Sequence, residues 1–161
     1  VAVALGANQP SAAGSPRETL VAVRPLLEEL LKAWSAQELV YRWSSLHDTA
    51  PVGGPPDQPH YCNAVMLVEG LQARPSVAAS LELLDALQGL EQQFGRNRSQ
   101  EQRWGARSLD LDLLFWGELR VDHPRLLLPH PRLHLRDFVL APLLEAMVGS
   151  SSSAAMTAEG C

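Results

Sequence analysis

The stretch that most constrains this chain is Ser108-Leu109-Asp110-Leu111-Asp112-Leu113-Leu114, in which polar and apolar residues alternate with a period of two. That is the pattern of a half-buried strand, so the spacing predicts Asp110 and Asp112 on one face and Leu109, Leu111 and Leu113 on the other. At about 3.3 Å rise per residue the two acidic α-carbons stand roughly 6.6 Å apart, so their carboxylates can converge on one divalent ion or a close pair. Paired oxygen ligands suit magnesium, which takes one or two protein carboxylates and completes its shell with water and phosphate oxygens.

An isolated Asp-x-Asp usually marks only the wet face of a strand. Here Arg96, Arg98, Arg103 and Arg107, four of the thirteen Lys and Arg residues, stand just upstream. Guanidinium groups bind phosphate oxygens in bidentate fashion, so cations beside paired acids point to a polyphosphate ligand. No Walker-type loop and no dinucleotide fingerprint is present, and the one lysine, Lys32, falls inside a predicted helix. Arginines and metal must therefore do the holding.

Composition narrows the class. A chain of 161 residues with 46% hydrophobic content can bury one sizeable core. The net charge of −5 argues against a nucleic-acid binder, which needs a broad basic surface. No apolar run reaches membrane-spanning length and no signal peptide is visible, so a cytoplasmic protein is expected. Two cysteines without ligand spacing suit a reducing compartment.

In chain order, Val1–Leu5 reads as a strand. Ser15-Pro16-Arg17-Glu18 is a capping box opening a helix with Leu20, Val23, Leu27, Leu30 and Trp34 inward, and Pro25 is expected to kink it. Glu38–His47 reads as a second strand, followed by a Pro- and Gly-rich loop over residues 49–59. Tyr61–Leu71 reads as a third strand, with Tyr61 and Asn63 on one face. Ser76–Phe94 is a second helix with Val77, Leu81, Leu84, Leu87 and Phe94 inward, stopped by Gly95. Gln88 and Glu91 share a face near its end. The acidic strand, a short strand at Leu119–Val121 and a last helix beginning near Phe138 follow.

This order is the split βαβ plan. The expected fold is α+β, a ferredoxin-like antiparallel sheet flanked by helices, with those helices on one face. Residues 1–148 are expected to form the domain and 149–161 a disordered tail or linker.

The chain resembles a known family. Leu5-Gly6-Ala7-Asn8, Thr49-Ala50-Pro51-Val52-Gly53, Asp57-Gln58-Pro59-His60-Tyr61-Cys62-Asn63, Arg103-Trp104-Gly105-Ala106-Arg107 running into the acidic strand, and Pro129-His130-Pro131-Arg132-Leu133-His134 before Phe138-Val139-Leu140-Ala141-Pro142-Leu143 are similar to segments of the 6-hydroxymethyl-7,8-dihydropterin pyrophosphokinases of folate biosynthesis. The resemblance implies transfer of pyrophosphate from ATP to a pterin alcohol with release of AMP, by a monomer. It implies that Asp110 and Asp112 hold two magnesium ions. Arg96, Arg98, Arg107, His130 and Arg136 would contact the triphosphate, while Gln88, Glu91 and Trp104 help place the nucleotide. Tyr61 and Phe138 would sandwich the pterin, and Asn63 would bind its polar edge beside Thr49, Ala50 and Val52. Two rival readings remain open: a nucleotidyl or sugar transferase using the acidic pair, and a non-catalytic ferredoxin-like module.

Overall fold

A computed structural model describes residues 1–100 and 105–149. Its elements are β1 (Ala2–Ala7), α1 (Pro16–Ser35), β2 (Val40–Trp43), β3 (His47–Thr49), β4 (Tyr61–Glu69), α2 (Val77–Gln93), β5 (Asp110–Phe115), β6 (Val121–His123), β7 (Leu126–Leu128), a 3-10 turn (Leu133–Leu135) and α3 (Asp137–Val148). The main sheet runs β2-β4-β1-β5, with β3 also paired to β4, and every pairing is antiparallel. That is the strand order of a split βαβ fold, with the second strand broken in two. Among the described residues no helix is long and apolar enough to cross a membrane.

The two-residue period of the central strands sorts their side chains into two cores. Val3, Leu5 and Ala7 of β1, Ala64, Met66 and Val68 of β4, and Leu111 and Leu113 of β5 pack with α1 and α2 through Leu20, Val23, Leu27, Leu31, Leu83 and Leu87. Ala2 and Ala4, Val65 and Leu114 instead meet Val139 and Leu143 of α3. The helices are therefore not confined to one face, contrary to the expectation from element order. α3 covers part of the opposite face, and the remainder of that face, towards one end of the strands, holds the polar residues.

Local signals explain most boundaries. The Ser15 hydroxyl accepts from Glu18 N–H at 3.3 Å and Ser15 N–H donates to the Glu18 carboxylate at 2.7 Å, which closes the expected capping box. α1 continues through Pro25, where the ring sits on the exposed side and the carbonyl it deprives belongs to Val21, 56% exposed. Leu31 rather than Leu30 is fully buried. α2 ends in a Schellman turn: Gly95 at φ +86° donates to the Gln92 carbonyl and Arg96 N–H to the Glu91 carbonyl.

Other expectations need correcting. The strand read over 38–47 divides into β2 and β3 because the buried Ser44 hydroxyl takes the Val65 N–H at 2.9 Å, substituting a side chain for a rung of the ladder. The third strand stops at Glu69, before Gly70 at φ +87°. The strand expected at 119–121 begins at Val121 and forms a hairpin with β7. Val77, placed inward from periodicity, opens α2 at the rim and is 42% exposed.

The contrast between Val77 and Leu87 is measurable. Leu87→Ala is expected to cost about 2–5 kcal/mol, the range for emptying a packed core position, and Val77→Ala to fall within about 0.5 kcal/mol. Urea denaturation of the two variants gives both numbers, and equal losses would contradict this assignment of the α2 core face.

Candidate active site

The polar end of the sheet is built by register. Gly6 of β1 lies opposite Asn63 of β4 on one side and Asp110 of β5 on the other, and Ala4 lies opposite Asp112. Asn63, Asp110 and Asp112 thus project from the α3 side of the sheet around a strand that offers them almost no side chain. A Cβ added at Gly6 would stand 3.1 Å from the Asn63 amide oxygen, so a larger residue there would press on Asn63. The sequence reading gave Gly6 no role.

Beside this floor the Schellman turn delivers the arginines. Glu91 lies at the end of α2 with 1% of its side chain exposed. It accepts from Arg96 Nη1 at 2.8 Å, from Arg98 Nε at 3.0 Å and Nη2 at 2.7 Å, and from the Leu111 backbone N–H at 2.8 Å. Arg96 Nη1 reaches Asp110 Oδ1 at 2.5 Å, and Arg107 Nη1 reaches Asp110 Oδ2 at 3.0 Å. Burial pushes the Glu91 carboxyl above its ordinary value, against the pull of Arg96 and the Leu111 N–H.

The two aspartates are unequal. Burial works to raise Asp110, but Arg96 and Arg107 outweigh it and hold the group below the ordinary carboxylate value. Asp112 feels the same burial plus the charge of Asp110, and among the described residues its nearest basic side chains, His130 and Arg136, each stand 3.9 Å away. Its carboxyl is pushed up to about 7. One acid is charged and clamped, while the other has among the described residues only the more distant Arg136 guanidinium, at 3.9 Å. Among the described residues no cluster of three or more metal-ligating side chains exists. Two convergent carboxylates, one of them only weakly compensated, fit a hard cation that takes its remaining ligands from water and phosphate.

His130 has a fixed orientation. Its N–H donates to the Leu114 carbonyl at 2.7 Å, and its Nδ1 accepts from Arg132 N–H at 3.2 Å. In the neutral ring the proton therefore sits on Nε2, the atom nearest Asp112. Burial first, then the neighbouring Arg136 and Arg132, lowers its pKa.

Across the floor, Tyr61 donates its hydroxyl to the Gly105 carbonyl at 3.2 Å and the Asn63 amide donates to Thr49 Oγ1 at 2.5 Å. Phe138 opens α3, with the Arg136 guanidinium 5.5 Å from its ring centre. These groups line one cleft of about 730 Å³. Of the residues singled out in the sequence, it gathers Thr49, Ala50, Val52, Tyr61, Asn63, Arg96, Arg98, Arg107, Asp110, Asp112, His130, Arg136 and Phe138. A second groove of about 590 Å³ adjoins it, sharing Arg98, Asp112 and His130. Gln88 lines this groove and not the cleft. Glu91 lines neither: it props the arginines from beneath. Trp104 lies outside the described residues. Arg132 and Gly6 line the cleft unannounced. For Arg132 the available signal was its place in the Pro-His-Pro-Arg run.

Known proteins resemble this chain over most of its length. Residues 2–148 match the model of the family described as 7,8-dihydro-6-hydroxymethylpterin-pyrophosphokinase. A 2-amino-4-hydroxy-6-hydroxymethyldihydropteridine pyrophosphokinase of Pseudomonas aeruginosa is 40% identical over 145 residues, which is 90% of this chain and 78% of that protein. One of the same name from Haemophilus influenzae is 39% identical over 143 residues, 89% of this chain and 78% of the relative. A mitochondrial folate synthesis bifunctional protein of Arabidopsis thaliana is 38% identical over 151 residues, 94% of this chain but 24% of that longer protein.

The state of His130 can be checked directly. With its pKa lowered by folding, the unfolded chain binds the extra proton first, so acidification through the ordinary histidine value of about 6.5 costs stability. In an NMR titration of the unliganded protein His130 is expected to titrate below that value, with the Nε2–H tautomer in its neutral form. A midpoint at or above it would contradict the burial and charge pattern described.

Proposed function

Because the chain belongs to the 7,8-dihydro-6-hydroxymethylpterin-pyrophosphokinase family, we propose that it transfers pyrophosphate from ATP to the hydroxymethyl oxygen of 6-hydroxymethyl-7,8-dihydropterin in folate biosynthesis. That oxygen bonds to the β-phosphorus, the bond between the β-phosphorus and the oxygen bridging it to the α-phosphate breaks, and AMP leaves. The hydroxyl proton passes to solvent. The observation that carries the reading is a single cleft with an aromatic-and-amide end and a carboxylate-and-guanidinium end, meeting at the Gly6 floor.

The chain's own residues account for positioning. Tyr61 and Phe138 offer ring faces for a flat heterocycle, and Asn63 offers an amide that can both donate and accept along its polar edge. Thr49, Ala50 and Val52 border that end. Arg96, Arg98, Arg107 and Arg136 present guanidinium groups to the triphosphate, and neutral His130 presents Nε2–H. Phosphoryl transfer asks chiefly for alignment and charge neutralisation, so an arginine cluster held by a buried carboxylate suits it.

The adjoining groove, bordered by Gln88, Leu111 and Leu113 and continuous with the cleft through Arg98, Asp112 and His130, has room for the nucleoside. Asp110 and Asp112 are the residues that would hold two magnesium ions. When bound, these ions neutralise charge on the transferred group. A monomer is part of the same proposal. The buried free thiol of Cys62 supports a reducing, cytoplasmic setting.

AMP release from ATP, with and without the hydroxymethyl pterin, tests the reading. AMP is expected only when pterin and magnesium are both present. Asp110→Ala and Asp112→Ala are each expected to lower kcat by at least about 10²–10³-fold, the loss on removing one charge-stabilising group, with far-UV circular dichroism unchanged. Pyrophosphate as the product, or turnover surviving either substitution, would remove the basis for a pyrophosphokinase.

A further inference from the structure

The two sides of the cleft's aromatic end come from different elements. Tyr61 and Asn63 stand on β4, and β3 is paired beside them, with His47 opposite Asn63 and Thr49 opposite Tyr61. Phe138 stands on α3, which packs on the sheet through Val139 and Leu143. Apolar contacts hold a helix down but are non-directional, so they leave its setting along and about its own axis loosely specified. Directed bonds supply that setting, and α3 makes them through Glu145.

Glu145 meets the corner between β2 and β3. Its Oε1 accepts the Ser45 N–H at 2.9 Å, and its Oε2 accepts the Ser45 hydroxyl at 3.0 Å and His47 Nε2–H at 2.7 Å. The His47 bond first, and then the two from Ser45, hold the carboxyl below its ordinary value. The break in the edge strand at Ser44 leaves the next N–H, that of Ser45, to α3 rather than to β4. Glu145 and Phe138 are seven residues apart, two helical turns, so they share a face of α3 about 10 Å apart along its axis. Ser45, His47 and Glu145 line neither the cleft nor the groove.

We propose that Glu145 is a positioning residue for the pterin: by fixing α3 against the β2–β3 corner it sets the spacing between the Phe138 ring and the side formed by Tyr61 and Asn63. The inference rests on the pyrophosphokinase reading for the identity of the ligand, while the clasp itself belongs to the fold. A flat ring gains its stacking only when both walls stand at van der Waals distance, so a helix free to slide or roll slightly weakens the stack without unfolding anything. The Glu145–His47 pair, with side chains 41% and 33% exposed, adds little to global stability. Its effect is therefore local.

Calorimetry follows binding of the hydroxymethyl pterin to the whole protein saturated with a non-hydrolysable ATP analogue and magnesium. In Glu145→Ala the pterin dissociation constant is expected to rise about two- to tenfold, the range a ring stack supplies, while the analogue alone binds within about twofold of wild type. Glu145→Gln keeps the reach of the side chain and an oxygen for the Ser45 N–H, and is expected to restore pterin affinity to within about twofold. In a Phe138→Leu background Glu145→Ala is expected to cause no further loss, because Glu145 acts through that ring. Should Glu145→Ala fail to fold, His47→Ala, which cuts the shortest of the three bonds, carries the same test.

Pterin affinity unchanged in Glu145→Ala overturns the proposal. So does the same fold loss with and without Phe138, or an equal loss for the analogue, since a merely structural role gives either. Failure of the functional reading shows in the wild type instead. Pterin bound without AMP release would end that reading and leave the positioning role standing on the binding data, whereas a wild type that binds no pterin would overturn both.

Discussion

The Glu91 carboxylate is the fixed point of this molecule. A carboxylate with 1% exposure is tolerable only when its charge is matched, and here Arg96, Arg98 and the Leu111 N–H all converge on it. Those three partners belong to the arginine loop and to β5, while Glu91 belongs to α2. One side chain therefore ties a helix, a loop and a strand together at the edge of the cleft. The Schellman turn at Gly95 makes this possible by folding Arg96 back over Glu91 within five residues. A longer or looser exit from α2 would leave both charges searching for partners.

That arrangement also makes the two aspartates different. Arg96, already anchored by Glu91, meets Asp110, and Arg107 takes its second oxygen, so the charge of Asp110 is balanced inside the protein. Asp112 is left with burial, a negative neighbour and, among the described residues, no guanidinium nearer than that of Arg136 at 3.9 Å. A site with one well-paired and one weakly paired acid favours a cation, and both acids line the cleft. The strand periodicity that puts Leu111 and Leu113 into the core is the same periodicity that brings both acids to the cleft.

Much of this was legible in the sequence, because it depends on local rules. Alternation in 108–114 gave the acidic face, the Ser15 capping box gave the start of α1, and Gly95 gave the end of α2. What was hidden depends on partners distant in sequence. Nothing near Ser44 announces that its hydroxyl will replace a ladder bond to Val65 and divide a strand. Gln88 and Glu91, three residues apart, look like one face, yet three residues leave about 60° of rotation on a helix. That is enough to turn Glu91 under β5 while Gln88 meets the groove. Which side of the sheet α3 would cover is equally a tertiary matter, and its choice places Phe138 and Arg136 opposite the acids. Glu145 carried no local signal either, since its partners Ser45 and His47 lie 100 and 98 positions away.

The central claim is that burial and the charge of Asp110 push the Asp112 carboxyl up to about 7, so that it holds a proton for a substantial fraction of the time near neutrality until a cation arrives. Proton release on binding a magnesium-nucleotide analogue measures this most directly, by calorimetry in buffers of differing ionisation enthalpy. Below about pH 7 the account predicts a substantial fraction of a proton released on binding, diminishing as the pH rises and absent in Asp112→Asn. Binding with no proton exchange between pH 6 and 7 in the wild type would contradict it.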